Sequence, residues 1–433
     1  VGWAERGGYP AASYGNSVPR FHITWGTGPG LIKPFVNRID EAVKNNLITL
    51  KFRHKVTEII VENGIVIGVH GEILERDNNL RGVKSSRIKT GEFTFHAQSV
   101  IVTSGGIGAN KELVKKNWPE RLGNPPENML CGVPDYVDGS MLGICEKVGA
   151  NIINPDRMWH YTEGIKNYDP IWSNHGIRIL PGPSSLWIDA TGNRLPAPLF
   201  PGFDTLGTLN YIMHTGYDYS WFILDQKIIR KEFALSGSEQ NPDLTNKSWL
   251  QVLGRAFGKS ATAPVEKFKK KGKDFIVENN LKDLVRKMNE LSGNNLLNTE
   301  NIIDQIRSRD REVYNTHSND LQIMALRDAR KYIGDKLIRT AKPHPILDQR
   351  NGPLIAVRLH LLTRKTLGGL ETNLSGQVLD IHGKPLQGLY AAGEASGFGG
   401  GGMHGYRSLE GTFLGGCIFS GRTAGREAGK NII

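Results

Sequence analysis

Gly388-Leu-Tyr-Ala-Ala-Gly-Glu-Ala-Ser-Gly-Phe-Gly-Gly-Gly-Gly-Met-His-Gly-Tyr-Arg-Ser-Leu-Glu-Gly-Thr-Phe-Leu-Gly-Gly416 reads as a strand end, a glycine-rich loop and a helix start in direct succession. Leu389, Tyr390, Ala391 and Ala392 form a short apolar run with no polar interruption, which predicts a buried strand end. Gly393-Glu394 then turns the chain, glycines crowd the stretch up to Gly405, and a helix pattern begins near Thr412. Glycines let backbone N–H groups come close to a ligand, and a helix N-terminus behind them favours negative charge. Glu394 at the lip of the loop is placed to accept hydrogen bonds from hydroxyl groups. The combination suits a nucleotide cofactor with a sugar-like chain. A glycine-rich surface turn without a ligand is the alternative that composition leaves open.

Working outward, residues 31–110 alternate a helix pattern (Leu31, Phe35, Val36, Ile39, Val43) with strand patterns at Leu47–Phe52, Lys55–Glu62, Ile65–Val69 and Ser99–Val102, as an α/β core does. Glu72–Lys89 is polar and reads as an excursion from the sheet, and Met141–Gly149 reads as a helix. The character changes near Pro155. Residues 155–235 carry tryptophan- and tyrosine-bearing clusters with many prolines, and Asp189-Ala-Thr-Gly192 predicts a hairpin turn. Residues 265–335 are lysine-rich and helical by pattern, with Leu281, Leu284, Val285, Met288 and Leu291 on one face.

Length and composition narrow the class. A chain of 433 residues can build two or three domains. With 39% hydrophobic residues and no apolar run near the membrane-spanning length, no transmembrane segment is expected. Cys131, Cys145 and Cys417 are too widely spaced for a disulfide framework or a metal cluster, which favours a reducing compartment and a cytoplasmic location. The histidines are scattered and lack ligand spacing, so no metal site is expected. The formal charge of +11 raises an anionic partner. However, the densest basic run, Lys267-Phe-Lys-Lys-Lys-Gly-Lys273, is flanked by acids and reads as a solvated helix face, so no nucleic-acid partner is expected.

The closing motif, with Gly-Leu-Tyr-Ala-Ala-Gly-Glu394, the glycine run and His404-Gly-Tyr-Arg407, resembles that of the fumarate reductase/succinate dehydrogenase flavoprotein superfamily, which includes the 3-ketosteroid dehydrogenases. Further stretches match in order: Gly26–Gly30 before a helix pattern, Val56–Val69 as a hairpin, Val100-Ile-Val-Thr-Ser-Gly-Gly-Ile-Gly-Ala-Asn110 as a strand and turn, and Asp138-Gly139 with Glu146–Ala150 as a helix. The resemblance implies an α/β fold: a glutathione-reductase-like Rossmann domain for FAD, with an inserted α+β substrate-capping domain. The implied boundaries are 1–154 and 351–433 for the FAD-binding parts and 155–350 for the cap. It implies Val56 against the adenine, Ser104, Gly105 and Gly106 at the diphosphate end, Asp138 and Gly393 nearby, Glu394 on a ribityl or ribose hydroxyl, and Ser408 and Leu409 at the flavin pyrimidine edge.

The departures from the pattern are informative. The opening G-x-G-x-x-G unit has no counterpart: Gly26-Thr-Gly-Pro-Gly30 lacks the third spaced glycine and contains Pro29. With the start at Val1, the chain reads as the later part of a flavoenzyme without that unit. Around the substrate, the resemblance implies His160 (in Trp159-His160-Tyr161), Lys365 (in Lys365-Thr-Leu-Gly-Gly369, where the family has histidine) and Arg407. The clamp-domain arginine that donates a proton to fumarate has no counterpart between Thr208 and Tyr219. A neutral, carbonyl-bearing substrate is favoured instead. Dehydrogenation beside a carbonyl needs a base for the α-proton, a hydride acceptor and donors at the oxygen. Tyr217, Tyr219 and Tyr406 are candidates for base or donor, Arg407 for charge stabilisation and Lys365 for donor or base. The expectation is α,β-dehydrogenation, or its reverse, of a flat apolar small molecule, with an unknown electron acceptor. A remnant without flavin and a reductase of small unsaturated acids remain the alternatives, and for Tyr217, Tyr219 and His160 a plain core role also stays open.

Overall fold

A computed structural model describes residues 24–258, 260–397 and 413–430. The chain runs α1 (Thr27–Lys44), β1 (His54–Glu62), β2 (Ile65–Leu74), β3 (Lys89–His96), β4 (Val100–Val102), α2 (Lys111–Lys116), β5 (Leu130–Cys131), α3 (Ser140–Lys147) and β6 (Ile152–Ile153). Next come β7 (Met158–Lys166), β8 (Gly176–Leu180), β9 (Leu186–Asp189), α4 (Thr205–His214), β10 (Tyr219–Asp225), α5 (Gln226–Glu232) and β11 (Ala234–Leu235). A helical stretch follows: α6 (Pro242–Thr245), α7 (Trp249–Phe257), α8 (Ala263–Lys271), then β12 (Phe275–Glu278), α9 (Leu281–Ser292), α10 (Thr299–Tyr314), α11 (Leu321–Ala329) and α12 (Ile333–Ile338). The chain closes with β13 (Leu354–Thr366), β14 (Gly369–Leu370), β15 (Gln377–Leu379), β16 (Pro385–Ala391) and α13 (Phe413–Lys430).

Among the described residues these strands form a six-stranded sheet, an eight-stranded sheet and the two-stranded β6–β14 ladder. The six-stranded sheet is mixed. β1 and β2 are an antiparallel hairpin closed at Glu62–Ile65, and β16 runs parallel to both β2 and β4. Leu389, Tyr390 and Ala391 pair with Val100, Ile101 and Val102 and are buried, so the predicted strand end is the inner end of β16. Parallel strands buried on their faces require such continuous apolar runs.

The eight-stranded sheet holds the largest core. β10 is buried at every position, and Trp187, Trp221, Phe222 and Ile223 anchor it. Along α9, Leu281, Leu284, Val285 and Met288 are buried, as their helical spacing predicts, with Leu291 partly buried beside them. Asp189 closes the predicted hairpin turn, its carboxylate accepting from the Thr191 and Asn193 amides at 2.9 and 3.0 Å. On α8, Val265 and Phe268 turn inward while the lysines form the outer face.

One expected element is absent. Leu47–Phe52 is not a strand; among the described residues no strand pairs with it, and Leu47 and Phe52 stay largely exposed. Apolar sequence alone does not make a strand when its backbone has no ladder partner. β13 belongs to the eight-stranded sheet along its length, pairing with β10, β12, β7 and β5 as far as Thr366. It ends where the six-stranded sheet begins, and that junction positions the site.

Candidate functional site

Three chain ends meet beyond the carboxyl ends of β4 and β16: the turn Ser104–Gly106, the end of β13, and the short helical turn Gly393–Ser396. In parallel α/β sheets this is where ligands bind. Hydrogen bonds tie these ends together. The Thr366 hydroxyl accepts from the Ile107 amide at 2.8 Å, and the Thr366 amide donates to Glu394 Oε1 at 2.8 Å. The Ala392 amide donates to the Val102 carbonyl at 3.0 Å, holding the Gly393 turn over β4. The Gly393 amide donates to the Ser420 hydroxyl of α13 at 2.9 Å.

The glycines act here by close approach. Gly105 adopts φ +78°, a left-handed conformation that side chains disfavour. A Cβ on Gly106 would fall 2.0 Å from Thr366 Oγ1 and 2.8 Å from Glu394 Oε1, so only glycine lets the three segments close. Burial pushes the Glu394 carboxyl above the ordinary glutamate range, against the Thr366 amide, which favours its charged form. Both features fit an FAD molecule: a turn whose Gly105 and Gly106 present bare backbone at the ends of parallel strands, and a sheltered carboxylate suited to a sugar-like hydroxyl.

A cation stands beside this junction. Lys365 precedes Thr366 on β13, and its ammonium lies 4.6 Å from the ring centroid of Trp159 and 4.6 Å from that of Phe413. Trp159 and Phe413 meet edge to face at 6.3 Å. The negative faces of the two aromatic rings attract the half-buried Lys365 ammonium. A second layer lies beside Trp159: Tyr161 carries the Arg178 guanidinium 3.7 Å from its ring centroid, and Arg178 Nε sits 3.8 Å from Glu163 Oε2 with both side chains buried.

The remaining sequence candidates are dispersed. His160 is buried on β7 against Trp118, and burial lowers its pKa to about 4, so it is neutral at physiological pH. It faces a small cavity lined by Arg121, Leu122, Arg157 and Leu209. Tyr217 and Tyr219 stack edge to face at 6.0 Å within or against the main core; the Tyr219 hydroxyl accepts from Asn294 at 3.0 Å, and Arg358 covers its ring at 4.3 Å. Tyr219 pairs with His360, five residues along β13 from Lys365, so at strand rise roughly 16 Å separates the two positions. Val56 is half-buried on β1, and Asp138 accepts from the Ser140 amide at 3.0 Å at the start of α3. Tyr406, Arg407, Ser408 and Leu409 lie outside the described residues. Sequence reading missed Thr366, Trp159 and Phe413. Trp159 was visible beside His160, but nothing in its spacing pointed toward Lys365.

Comparison with known proteins places the chain in a family. Residues 1–414 match the family described as FAD binding domain. A KsdD-like steroid dehydrogenase of Mycobacterium tuberculosis is 59% identical over 432 residues, which is 100% of this chain and 76% of that protein. One from Mycolicibacterium smegmatis is 60% identical over 432 residues, 78% of its length. Among solved structures, the 3-ketosteroid delta1-dehydrogenase of Sterolibacterium denitrificans covers 90% of this chain with a TM-score of 0.60 at 16% identity. A flavocytochrome c3 fumarate reductase covers 92% with a TM-score of 0.56 at 19% identity. The chain spans 62% and 55% of those two structures. At such identities they establish the shared fold. With the family matched across nearly the whole chain and relatives of such close identity, the chain belongs to the FAD binding domain family and is an FAD-dependent dehydrogenase acting on CH–CH bonds.

Proposed function

We propose that the protein desaturates a flat, apolar ketone of the 3-ketosteroid type, removing hydrogen from the carbon pair beside the carbonyl. The observation that carries this reading is the Lys365 ammonium held between Trp159 and Phe413 beside the Glu394–Thr366 junction. A cation packed against aromatic rings at the cofactor junction is suited to polarise the carbonyl oxygen of a ketone. The high identity to proteins named as KsdD-like steroid dehydrogenases supports the same substrate class.

In this reading Glu394 orients the cofactor through a hydroxyl, and the Ser104–Gly106 turn offers backbone amides to its diphosphate. FAD, when bound, supplies the hydride acceptor at N5. Lys365 donates a hydrogen bond to the ketone oxygen and stabilises the negative charge that develops there as the α-proton leaves. Tyr406 takes that proton, and Arg407, which cannot lose its own, stabilises the tyrosinate and the oxygen electrostatically. Trp159 exclusion of water strengthens each of these interactions.

The test is dye-linked turnover of the FAD-bound enzyme with a ring-saturated 3-ketosteroid, beside fumarate reduction driven by reduced viologen. Steroid-dependent dye reduction is expected, and Lys365→Met is expected to lower kcat by about 10²-fold, as loss of one oxyanion donor does. Fumarate turnover with an inert steroid would overturn the substrate reading.

A further inference from the structure

Among the described residues, α7 presents an apolar face that stays exposed. Trp249, Leu250, Leu253 and Phe257 fall within an arc of about 100° on the helix, and they are 53–83% exposed. Single exposed apolar residues are ordinary, but four large ones on one face of a nine-residue helix are not. The neighbouring α12 extends the patch with Ile333, Leu337 and Ile338, also exposed, and Tyr332 stands at its start. Trp25 stacks on Trp249 with ring centroids 4.7 Å apart.

The surroundings are cationic. Beside α7, Lys247 is exposed, while Arg255 is paired with the buried Asp243 at 2.9 Å. Around α12, Lys331, Lys336 and Lys342 are exposed, whereas Asp335 and Asp243 are buried. Lys331 pairs with the exposed Asp328 at 3.0 Å, which leaves Lys336 and Lys342 as the net charge beside α12. We propose that the α7–α12 face is a docking surface for an anionic lipid bilayer, with the α7 apolar face lying in the interface plane and the lysines against the headgroups. Interfacial helices have this composition: tryptophan, leucine and phenylalanine on one face, lysine and arginine around it, and no span long enough to cross. Among the described residues no helix is long and apolar enough to cross a membrane. A second copy of the chain fits the face less well. Protein interfaces are depleted in lysine, and two such faces would bring like charges together.

The test is flotation of the FAD-bound protein with vesicles of phosphatidylcholine alone or with about 30 mol% phosphatidylglycerol. Binding to the anionic vesicles is expected, falling at least about fivefold without the anionic lipid or on raising salt to about 0.5 M. The pair Leu253→Glu and Phe257→Glu is expected to lower binding at least about tenfold while flavin content and circular dichroism stay unchanged. Because charge reversal at Lys331 and Lys336 touches no apolar contact, that second variant separates loss of the surface from loss of fold, and it too is expected to weaken binding. Equal flotation of wild type and both variants would overturn the proposal. So would absence of flotation, including the case in which light scattering finds a dimer that the Leu253→Glu, Phe257→Glu pair dissolves, which would assign the face to a second copy.

Discussion

His160 illustrates how burial decides what one residue can do. It packs against Trp118, and burial lowers its pKa to about 4 from the ordinary 6.5. The native state therefore binds fewer protons at this site than the unfolded chain does. Its contribution to stability is complete above about pH 6.5 and is lost as pH falls toward 4. At 1.36 kcal/mol per unit this amounts to roughly 3 kcal/mol. Replacing His160 with Gln is expected to shrink the fall in melting temperature between neutral pH and about pH 4.5. An unchanged slope in thermal melts would mean that the ring is accessible to water.

Between elements, the contact between the β4 turn and β13 depends on a missing side chain. Gly106 lies where a Cβ would overlap both Thr366 and Glu394, and neither can retreat without breaking a hydrogen bond to Ile107 or Thr366 backbone. Gly106→Ala is expected to cost about 2–4 kcal/mol, combining overpacking with a lost buried hydrogen bond. It is also expected to weaken FAD retention more than tenfold, since the turn and Glu394 shift together. Chemical denaturation and the flavin-to-protein absorbance ratio check the two effects. An alanine variant as stable and as yellow as wild type would show that the junction is not needed. The same scale explains the uncovered faces of α1 and α13. Phe35 and Val36 on α1 and Leu414 and Phe419 on α13 are exposed where nothing among the described residues covers them, and the α1 stripe was legible in the spacing of its apolar residues.

For the whole molecule, β13 links the two large sheets. It lies in the eight-stranded sheet, and its last residue, Thr366, holds the Ser104–Gly106 turn and Glu394 of the six-stranded half. Ligand that fills the junction is bound to both halves at once. Saturating FAD is expected to stabilise the folded protein by about 2.7 kcal/mol at a hundredfold excess over its dissociation constant. Stripped of flavin, the protein should melt several degrees lower, with full recovery on adding FAD. Glu394→Gln should reduce that recovery at subsaturating FAD. Equal melting temperatures with and without flavin would disconnect the junction from the cofactor.

The sequence by itself determined the buried strand end at Leu389–Ala391, the helix that starts at Phe413, the alternation that makes an α/β core and the apolar face of α9, while the cofactor class came from the family resemblance. These elements follow from local chemistry: apolar runs bury, glycine permits close approach, and helical spacing gathers one face. Only the tertiary structure decided which side chains meet. Lys365 reaches Trp159 across two register shifts in the β13–β7 ladder, and a slip of one residue turns every side chain to the opposite face. Thr366 meets the Ile107 amide across 259 residues of sequence, and no spacing rule reaches that far. The same holds for Tyr217 and Tyr219. Their alternation was legible, but only the packing of β10 against β13 set Tyr219 into the core beside Asn294 and Arg358, with Tyr217 partly buried against it.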